Sequence, residues 1–494
     1  MKRIWEYLNK GNCMSSNSRL LKNSGIYAIV QILQKCIGFI LIPVYMTVLP
    51  STENGIVSTI TAVVSFLGIV YTLSLNSAVV RFYIDYKDDE IKLKEFWGTC
   101  ITFIMLNSII LSVVFFIVRD VLLVPILGGI SFFPYMAIGM ISIALNPIYT
   151  VFQSTLQAKE QSRAYGANNL AYFIINLSLT ILFVVVFRLG ALGIISALAI
   201  TDTIFFMYTL YKFVPTIKIS IKKYYLKKAL KYSLPLLPHS LSGWAMAMID
   251  KLFLNNKVGT DVAGVYGLGS QFANIINVLA SAVNQAYVPW FFEGMKDKER
   301  NQTEIVKMSE VITIFYGVLA MGMSLFGPEA IKILPKNGYD EAWKAIPLLS
   351  FAFVFNGIYY FFVNPLFYNK NGVKYIAIGT FTSAVLNSVL NIYFIPKYGI
   401  VGAGLASMIS MMAACILIYY ISEKIEPIGF NIMKLFTITF FFLGLGLLSF
   451  VLEGNSFVYN IIIKSLIVIG VFVLIFLKYK KEILNITKNV RKSN

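Results

Sequence analysis

A lysine and two glutamines lie on one face of the first apolar segment. Gln31, Gln34 and Lys35 are spaced i, i+3 and i+4, so in a helix their side chains are neighbours. Lys35 lies about ten residues into the segment, which is roughly 15 Å at 1.5 Å per residue. A cation so deep in an apolar segment indicates either a cavity that binds anions or an ion pair with an acid such as Asp202 or Asp250.

Amide side chains recur in a later apolar segment, over residues 262–290. They are Gln271, Asn274, Asn277, Asn284 and Gln285, and Tyr287 and Trp290 follow them. The spacings of 3, 3 and 7 place the first four amides on one broad helical face. Hydrogen bonds between helices would explain them, and so would a path for a ligand rich in hydroxyl groups.

Five further titratable residues fall in apolar segments or at their ends: Arg81, Asp202, His239, Asp250 and Lys251. Arg81 could bind an anion or simply anchor a helix end. Asp250 and Lys251 could form an interfacial pair or part of a gate. Asp202 and Asp250 could respond to H⁺ or Na⁺, and His239 could titrate near neutral pH or hold a structural hydrogen bond. We expect Lys464 to extend to the membrane surface.

The composition indicates the elements that position these residues. Of the 494 residues, 57% are hydrophobic and 13% are charged, and the mean hydropathy is +0.73. A soluble domain carries about 25% charged residues, so lipid must surround much of this chain. With one histidine and four scattered cysteines, the chain has no pattern typical of a metal site.

The apolar segments predict an all-α integral membrane protein with about 14 transmembrane helices. Their predicted bounds are 25–49, 55–80, 97–118, 131–155, 170–187, 190–211, 232–256, 262–290, 309–327, 345–367, 375–395, 399–421, 434–452 and 456–477. The fourth is the least regular, because three prolines interrupt that stretch. Strands are not indicated, since the segments lack the alternation of membrane barrels.

The distribution of basic residues predicts the orientation. With a cytoplasmic N-terminus, 32 of the 42 Lys and Arg residues fall in cytoplasmic segments and eight fall outside. This asymmetry follows the positive-inside rule and places both termini in the cytoplasm. Topology and anionic lipid head groups therefore explain the net charge of +18, without nucleic-acid binding.

Similar short motifs recur about 209 residues apart. Gly264 comes 209 residues after Gly55, and Gly399 comes 209 residues after Gly190. All four glycines lie at the starts of predicted spans. The offset predicts two parallel six-helix repeats plus two C-terminal helices, an architecture that places a substrate path between the repeats. The predicted domains are 1–24 (cytoplasmic N-terminus), 25–211 and 232–421 (the lobes), 212–231 (a basic cytoplasmic linker), 434–477 (two extra helices) and 478–494 (a basic cytoplasmic tail).

Several motifs resemble the polysaccharide-transporter family. They are Ile42-Pro43-Val44-Tyr45, Leu49-Pro50-Ser51-Thr52-Glu53-Asn54-Gly55, Ala78-Val79-Val80-Arg81-Phe82, Leu234-Pro235, Val262-Ala263-Gly264-Val265-Tyr266 and Pro396-Lys397-Tyr398-Gly399. This family comprises O-antigen and capsule repeat-unit flippases (Wzx, RfbX-like) of the multidrug/oligosaccharidyl-lipid/polysaccharide superfamily. The resemblance implies translocation of undecaprenyl-pyrophosphate-linked oligosaccharide across the bacterial cytoplasmic membrane, alongside a polysaccharide polymerase and a chain-length regulator.

Under that implied function, the candidate residues divide by chemistry. Lys35, Arg81 and Lys251 would contact the phosphates. The glycan would pass the amides and the aromatic residue, which are Gln31, Gln34, Gln271, Asn274, Asn277, Asn284 and Tyr287. No cofactor is expected, although H⁺ or Na⁺ coupling remains open.

Two other functions compete with this one. A cation-coupled multidrug exporter of the same superfamily would rely on intramembrane carboxylates, but the first span has none and its deep charge is Lys35. A membrane glycosyltransferase or polymerase would carry acidic catalytic residues or a long loop outside. The one acidic cluster, Asp88-Asp89-Glu90, falls on the predicted cytoplasmic side among lysines. We therefore expect a transporter rather than an enzyme.

Overall fold

A computed structural model describes residues 42–334, 337–369, 372–454 and 456–493. These residues form helices joined by short turns, and no strand occurs among them. Helices suit a lipid environment because each one satisfies its own backbone hydrogen bonds. The all-helical fold predicted from the sequence is confirmed.

The described helices are numbered in chain order. They are α1 (Ile42–Val48), α2 (Ser51–Thr72), α3 (Leu75–Tyr86), α4 (Glu90–Ile117), α5 (Arg119–Leu127), α6 (Ala137–Ala158), α7 (Ser162–Ile181), α8 (Gly190–Phe213), α9 (Lys223–Ser233), α10 (Leu237–Lys257), α11 (Thr260–Gly294), α12 (Lys298–Ile333), α13 (Ile346–Tyr368), α14 (Val373–Ile425), α15 (Ile432–Leu452) and α16 (Phe457–Ser493).

Ten segments of the described residues are long and apolar enough to cross a membrane. The segment Thr260–Ile333 contains two helices, α11 and α12. The segment Lys374–Ile425 turns at Gly399, where φ is 52° and the helical conformation is lost. The irregular fourth span is one of the ten, as Phe132–Ala158. The total of fourteen crossings stays a prediction, because most of the first span lies outside the described residues.

The second predicted span is not one continuous helix. Leu73 and Ser74 both adopt left-handed backbone conformations, with φ of 48° and 55°, and they separate α2 from α3. The break frees backbone carbonyls of α2, and the Asn107 amide donates to the Tyr71 carbonyl at 2.8 Å. Neither Leu nor Ser signals such a break, so the sequence did not indicate it.

The two halves of the chain make a close backbone contact where α2 meets α11. A Cβ atom built on Gly55 would lie 1.7 Å from the Thr260 carbonyl oxygen, and one built on Gly264 would lie 1.9 Å from the Ser51 carbonyl oxygen. The Asn54 amide also donates to the Gly264 carbonyl at 2.8 Å. Only glycine allows the two helices to approach this closely.

The basic segment 212–231 is held against the first half of the chain. Lys218 and Lys222 both form ion pairs with Glu95, whose side chain is only 8% exposed. On α9, Lys228 donates to the Tyr86 hydroxyl at 3.0 Å and to Asp85 at 3.1 Å. These hydrogen bonds raise the pKa of Lys228, the bond to Tyr86 most, so the ammonium group stays charged.

The expectation for Lys464 is wrong. Its side chain is fully buried, and its Nζ atom lies 2.7 Å from both carboxylate oxygens of Glu329. Glu329 lies on α12 and Lys464 on α16, so the ion pair joins the last helix to the second half of the chain. Lys464 does not need to extend to the membrane surface, because the buried Glu329 carboxylate neutralises its charge inside the helix bundle.

Candidate functional site

A polar cavity of about 480 Å³ lies inside the membrane-spanning region. It is bounded by α2, α6, α8 and the start of α10. Nine of its sixteen lining residues carry hydroxyl or amide side chains: Thr61, Ser65, Thr72, Ser74, Asn76, Ser142, Asn146, Thr150 and Ser240. Such groups donate and accept hydrogen bonds without carrying charge, so the cavity suits a hydroxyl-rich ligand.

Asp202 supplies the carboxylate of this cavity. It is 2% exposed, and its Oδ1 atom accepts hydrogen bonds from the Asn146 amide and the Tyr172 hydroxyl, both at 2.7 Å. The Thr150 hydroxyl donates to the Asn146 oxygen at 3.0 Å and orients that amide. Asp202 forms no ion pair with any described residue, so it is a buried acceptor held by neutral donors.

A second buried carboxylate, Asp250, lies on α10 and is also bound by neutral groups. Its Oδ2 atom accepts from the hydroxyls of Tyr266 at 2.5 Å and Ser407 at 2.6 Å, and Oδ1 accepts from the Asn391 amide at 2.6 Å. The Asn391 oxygen is buried and accepts no hydrogen bond from the described residues. The cluster therefore brings one carboxylate and one unpartnered amide oxygen together inside the second half of the chain.

Hydrogen bonds to carbonyl oxygens hold the two halves together at the end of the helices predicted to face outward. Asn255 donates to the Leu127 carbonyl at 2.7 Å, and Tyr339 donates to the Leu49 carbonyl at 3.0 Å. Together with the Gly55 and Gly264 contact, these bonds join the two halves at that end of the molecule. The polar cavity lies toward the other end of α2.

Comparison with known proteins places the chain among polysaccharide biosynthesis proteins. The profile of the family described as "Polysaccharide biosynthesis protein" matches residues 20–295, more than half of the chain. The chain belongs to this family. One relative is the Lsg locus protein 1 of Haemophilus influenzae, 23% identical over 428 residues, which cover 83% of this chain and 99% of that protein.

The fold of this polysaccharide biosynthesis protein is similar to that of solved membrane transporters. The lipid II flippase MurJ, in an inward closed conformation, matches with a TM-score of 0.75 at 16% identity, over 92% of this chain and 99% of that one. An inward-facing multidrug resistance transporter of the MATE family and MOP superfamily matches with a TM-score of 0.56 at 15% identity, over 83% and 98%. The protein therefore has the fold of multi-pass membrane transporters.

Three of the predicted amides of this family member form hydrogen bonds along α11 and between α11 and α13. Asn277 donates to Asn274 at 3.0 Å and accepts from Asn356 at 3.0 Å, and Asn284 accepts from Asn364 at 3.0 Å. Gln271 is exposed, while Tyr287 is buried with no hydrogen-bond partner among the described residues. Hydrogen bonds to α13 thus explain part of the spacing of the amide side chains on α11.

Neither of the described cationic candidates, Arg81 and Lys251, forms an ion pair with Asp202 or Asp250. Arg81 is half exposed and pairs with Asp85 at 3.3 Å, one helical turn away. Lys251 is half-buried and contacts the Met248 sulfur at 3.8 Å. His239 is exposed, and its Nδ1 lies 3.1 Å from the Thr380 hydroxyl. Gln31, Gln34 and Lys35 lie outside the described residues.

Sequence reasoning missed the partners of the two carboxylates. Asn146 and Tyr172 come from α6 and α7, and Ser407 comes from the far part of α14. A single Asn, Tyr or Ser within an apolar segment is too common to stand out. What could have pointed to them is that Asp202 and Asp250, as intramembrane acids, each require neutral donors or a cation nearby.

Proposed function

We propose that this protein is a flippase that moves undecaprenyl-pyrophosphate-linked oligosaccharide repeat units across the bacterial cytoplasmic membrane by alternating access. The units would serve the synthesis of O-antigen, capsule or exopolysaccharide. The observation that carries the proposal is the cavity of about 480 Å³ lined by hydroxyls and amides within the membrane-spanning region. A glycan loses hydration in the bilayer, and such a lining replaces the lost hydrogen bonds.

The family and the fold support the same proposal. The chain belongs to a polysaccharide biosynthesis family, and a lipid II flippase is among the solved structures with a similar fold. The proposal includes cytoplasmic termini. It also includes cooperation with a polymerase and a chain-length regulator.

Deletion of the gene tests the proposed function. We expect a complete lipid-linked repeat unit to accumulate on the cytoplasmic leaflet, together with loss of surface polysaccharide, and both should be reversed by the wild-type gene. The pool of lipid-linked intermediates is measured by mass spectrometry. The leaflet that holds them is determined by whether a lectin added outside intact cells binds the glycan. An unchanged pool of intermediates would contradict the proposal.

A cation-coupled multidrug exporter is the second candidate. One observation favours it: the Asp202 carboxylate lines the cavity without an ion pair to any described residue, as a site for a cationic drug would require. The same deletion separates the two functions. Increased drug sensitivity with normal surface polysaccharide would support the exporter.

Lys35 is our candidate for binding the pyrophosphate. Replacing Lys35 with Ala should strongly reduce surface polysaccharide, because a cation available to the phosphates would be lost. Protein level and membrane insertion should stay normal. Lys92→Ala is a suitable control, since Lys92 is exposed and pairs with Asp89 at 2.9 Å on the surface. Full activity of Lys35→Ala would remove Lys35 from the proposed site.

We propose that Asp250, rather than Asp202 or His239, binds the coupling cation. The Asn391 amide nitrogen donates to the Asp250 carboxylate, and the oxygen of the same amide has no partner among the described residues; oxygen ligands are those that Na⁺ and other hard cations prefer. In proteoliposomes, a Na⁺ gradient should stimulate flipping by the wild type, and Asp250→Asn should lose this stimulation.

Asp202→Asn is the matched control, because it makes the same chemical change at another buried carboxylate bound by neutral donors. This variant should keep its response to the gradient even if its basal rate falls. A Na⁺ response that persists in Asp250→Asn would exclude Asp250 as the coupling site. Stimulation by a pH gradient alone would assign the coupling to H⁺.

A further inference from the structure

An apolar groove of about 580 Å³ lies between α2, α5 and α10, where the first half of the chain meets the second. Its walls include Val63, Leu67 and Leu123 from the first half and Ile249 and Leu252 from the second. The walls are aliphatic and aromatic except at one end. Hydrocarbon can occupy such a groove favourably, whereas a glycan cannot, because its hydroxyls would find no partners.

The two ends of the groove differ in chemistry. At one end, the Trp244 ring packs against Phe66 with centroids 4.9 Å apart, and its indole nitrogen donates to the Ala62 carbonyl at 2.9 Å. At the other end lie Asn256 and Lys257. The Lys257 ammonium is exposed and forms no ion pair with any described residue. The groove is therefore closed by a ring at its base and carries an available cation at its mouth.

Helix α2 separates this groove from the polar cavity. Val63, Phe66 and Leu67 face the groove, whereas Thr61 and Ser65 face the cavity. Positions 63 and 65 are about 200° apart around a helix with 3.6 residues per turn, so the two sets occupy opposite faces. One helix thus offers a hydroxyl-lined surface on one side and a hydrocarbon surface on the other.

We infer that the groove binds the part of the carrier lipid's isoprenoid chain nearest the phosphate once the head group has reached the outer leaflet, with the phosphate beside Lys257. This inference rests on the proposed function. The stretch of α10 from Trp244 to Lys257 is about 20 Å long at 1.5 Å per residue, about two thirds of a hydrocarbon core of about 30 Å. Lys257 complements the phosphate, and Leu122, 47% exposed, leaves one wall open to the bilayer.

Photo-crosslinking tests this assignment. The full-length protein in nanodiscs is irradiated with undecaprenyl phosphate that carries a benzophenone on the part of its chain nearest the phosphate. We expect labelled peptides from α2, α5 or α10. Ile249→Trp and, separately, Leu252→Trp should lower labelling about tenfold, because the larger ring fills the groove. Lys257→Ala should lower it about fivefold through loss of one charge contact.

Val121→Trp is the matched control, since Val121 lies on α5 but is 76% exposed and does not line the groove. Its labelling should equal that of the wild type. Unlabelled undecaprenyl phosphate should compete, and phosphatidylglycerol should not. Labelling that survives both tryptophan variants, or that phosphatidylglycerol competes away equally well, overturns the assignment.

A flipping assay on the same preparations keeps the two proposals apart. If the wild type flips lipid-linked oligosaccharide but the groove variants label normally, the groove assignment fails and the proposed function stands. If the wild type does not flip the substrate, the proposed function fails, and the groove assignment fails with it. Thermal unfolding curves identify any groove variant that loses labelling through misfolding, and the other groove variant then decides.

Discussion

Gly264→Val should abolish transport while leaving the protein inserted in the membrane. The first atom of any side chain at this position would lie 1.9 Å from the Ser51 carbonyl oxygen and 2.7 Å from the Gly55 nitrogen. Both neighbours are backbone atoms, so relief requires α2 and α11 to separate. Overpacking of this kind costs about 1–3 kcal/mol or more, which shifts an equilibrium between two conformations about 5- to 150-fold.

The equilibrium should shift in one direction, because the contact joins the two halves at the end of the molecule predicted to face outward. In a variant whose native cysteines are replaced, Ser65→Cys places a thiol in the polar cavity. A membrane-impermeant maleimide added from outside should label this thiol faster when Gly264→Val is present. Gly322→Val is the control, since a side chain there would meet no atom within 4 Å. Normal transport by Gly264→Val would show that the contact is not needed for the cycle.

Lys464→Met should destabilise the protein by about 3–5 kcal/mol, because it leaves the Glu329 charge buried without a partner. Both side chains are almost fully buried, and the ammonium group lies 2.7 Å from each carboxylate oxygen. Glu329→Gln should be similarly harmful for the converse reason. The measurement is the midpoint of thermal unfolding of purified protein, together with the amount of protein in the membrane.

The double variant Glu329→Gln/Lys464→Met distinguishes loss of the ion pair from loss of packing. It removes both charges at nearly constant volume, so most of the stability should return. Lys344→Met is the surface control: Lys344 pairs with Glu341, whose side chain is 62% exposed, and loss of that pair should change stability by less than about 1 kcal/mol. A double variant no more stable than either single one would argue against a stabilising ion pair.

The helical elements followed from hydropathy because the bilayer imposes a minimum length on every crossing. The predicted span 131–155 and the observed segment Phe132–Ala158 agree despite the prolines, since Pro134 lies near its start and Pro147 is accommodated inside α6. The break at Leu73 and Ser74 could not be predicted, because it depends on the Asn107 amide from another helix. The residues around Leu73 and Ser74 do not indicate this partner, which is distant in the sequence.

The site was harder to predict than the fold for the same reason. Asp202 and Asp250 stood out as intramembrane acids, but whether each met a cation or neutral donors depended on residues far away in the chain. Lys464 shows the difficulty most clearly, since its partner Glu329 lies 135 residues away. Depth in the membrane can be read from a sequence, whereas pairing across helices requires the packed structure.

The glycine contact between the halves is reciprocal. Gly55 meets the Thr260 carbonyl, Gly264 meets the Ser51 carbonyl, and both glycines stand four residues after the residue that contacts the other. This is the pattern of an isologous interface, in which residue i meets j and j meets i, as between two subunits of a C₂ dimer. Such a symmetric contact does not distinguish one half from the other.

The proposed transport in one direction therefore requires residues elsewhere in the chain that differ between the two halves. Asp202 and Asp250, the two carboxylates bound by neutral donors, have no acidic counterparts at the 209-residue offset: position 411 is Met, and position 41 is Leu. Each half thus carries one such acid that the other half lacks at the 209-residue offset.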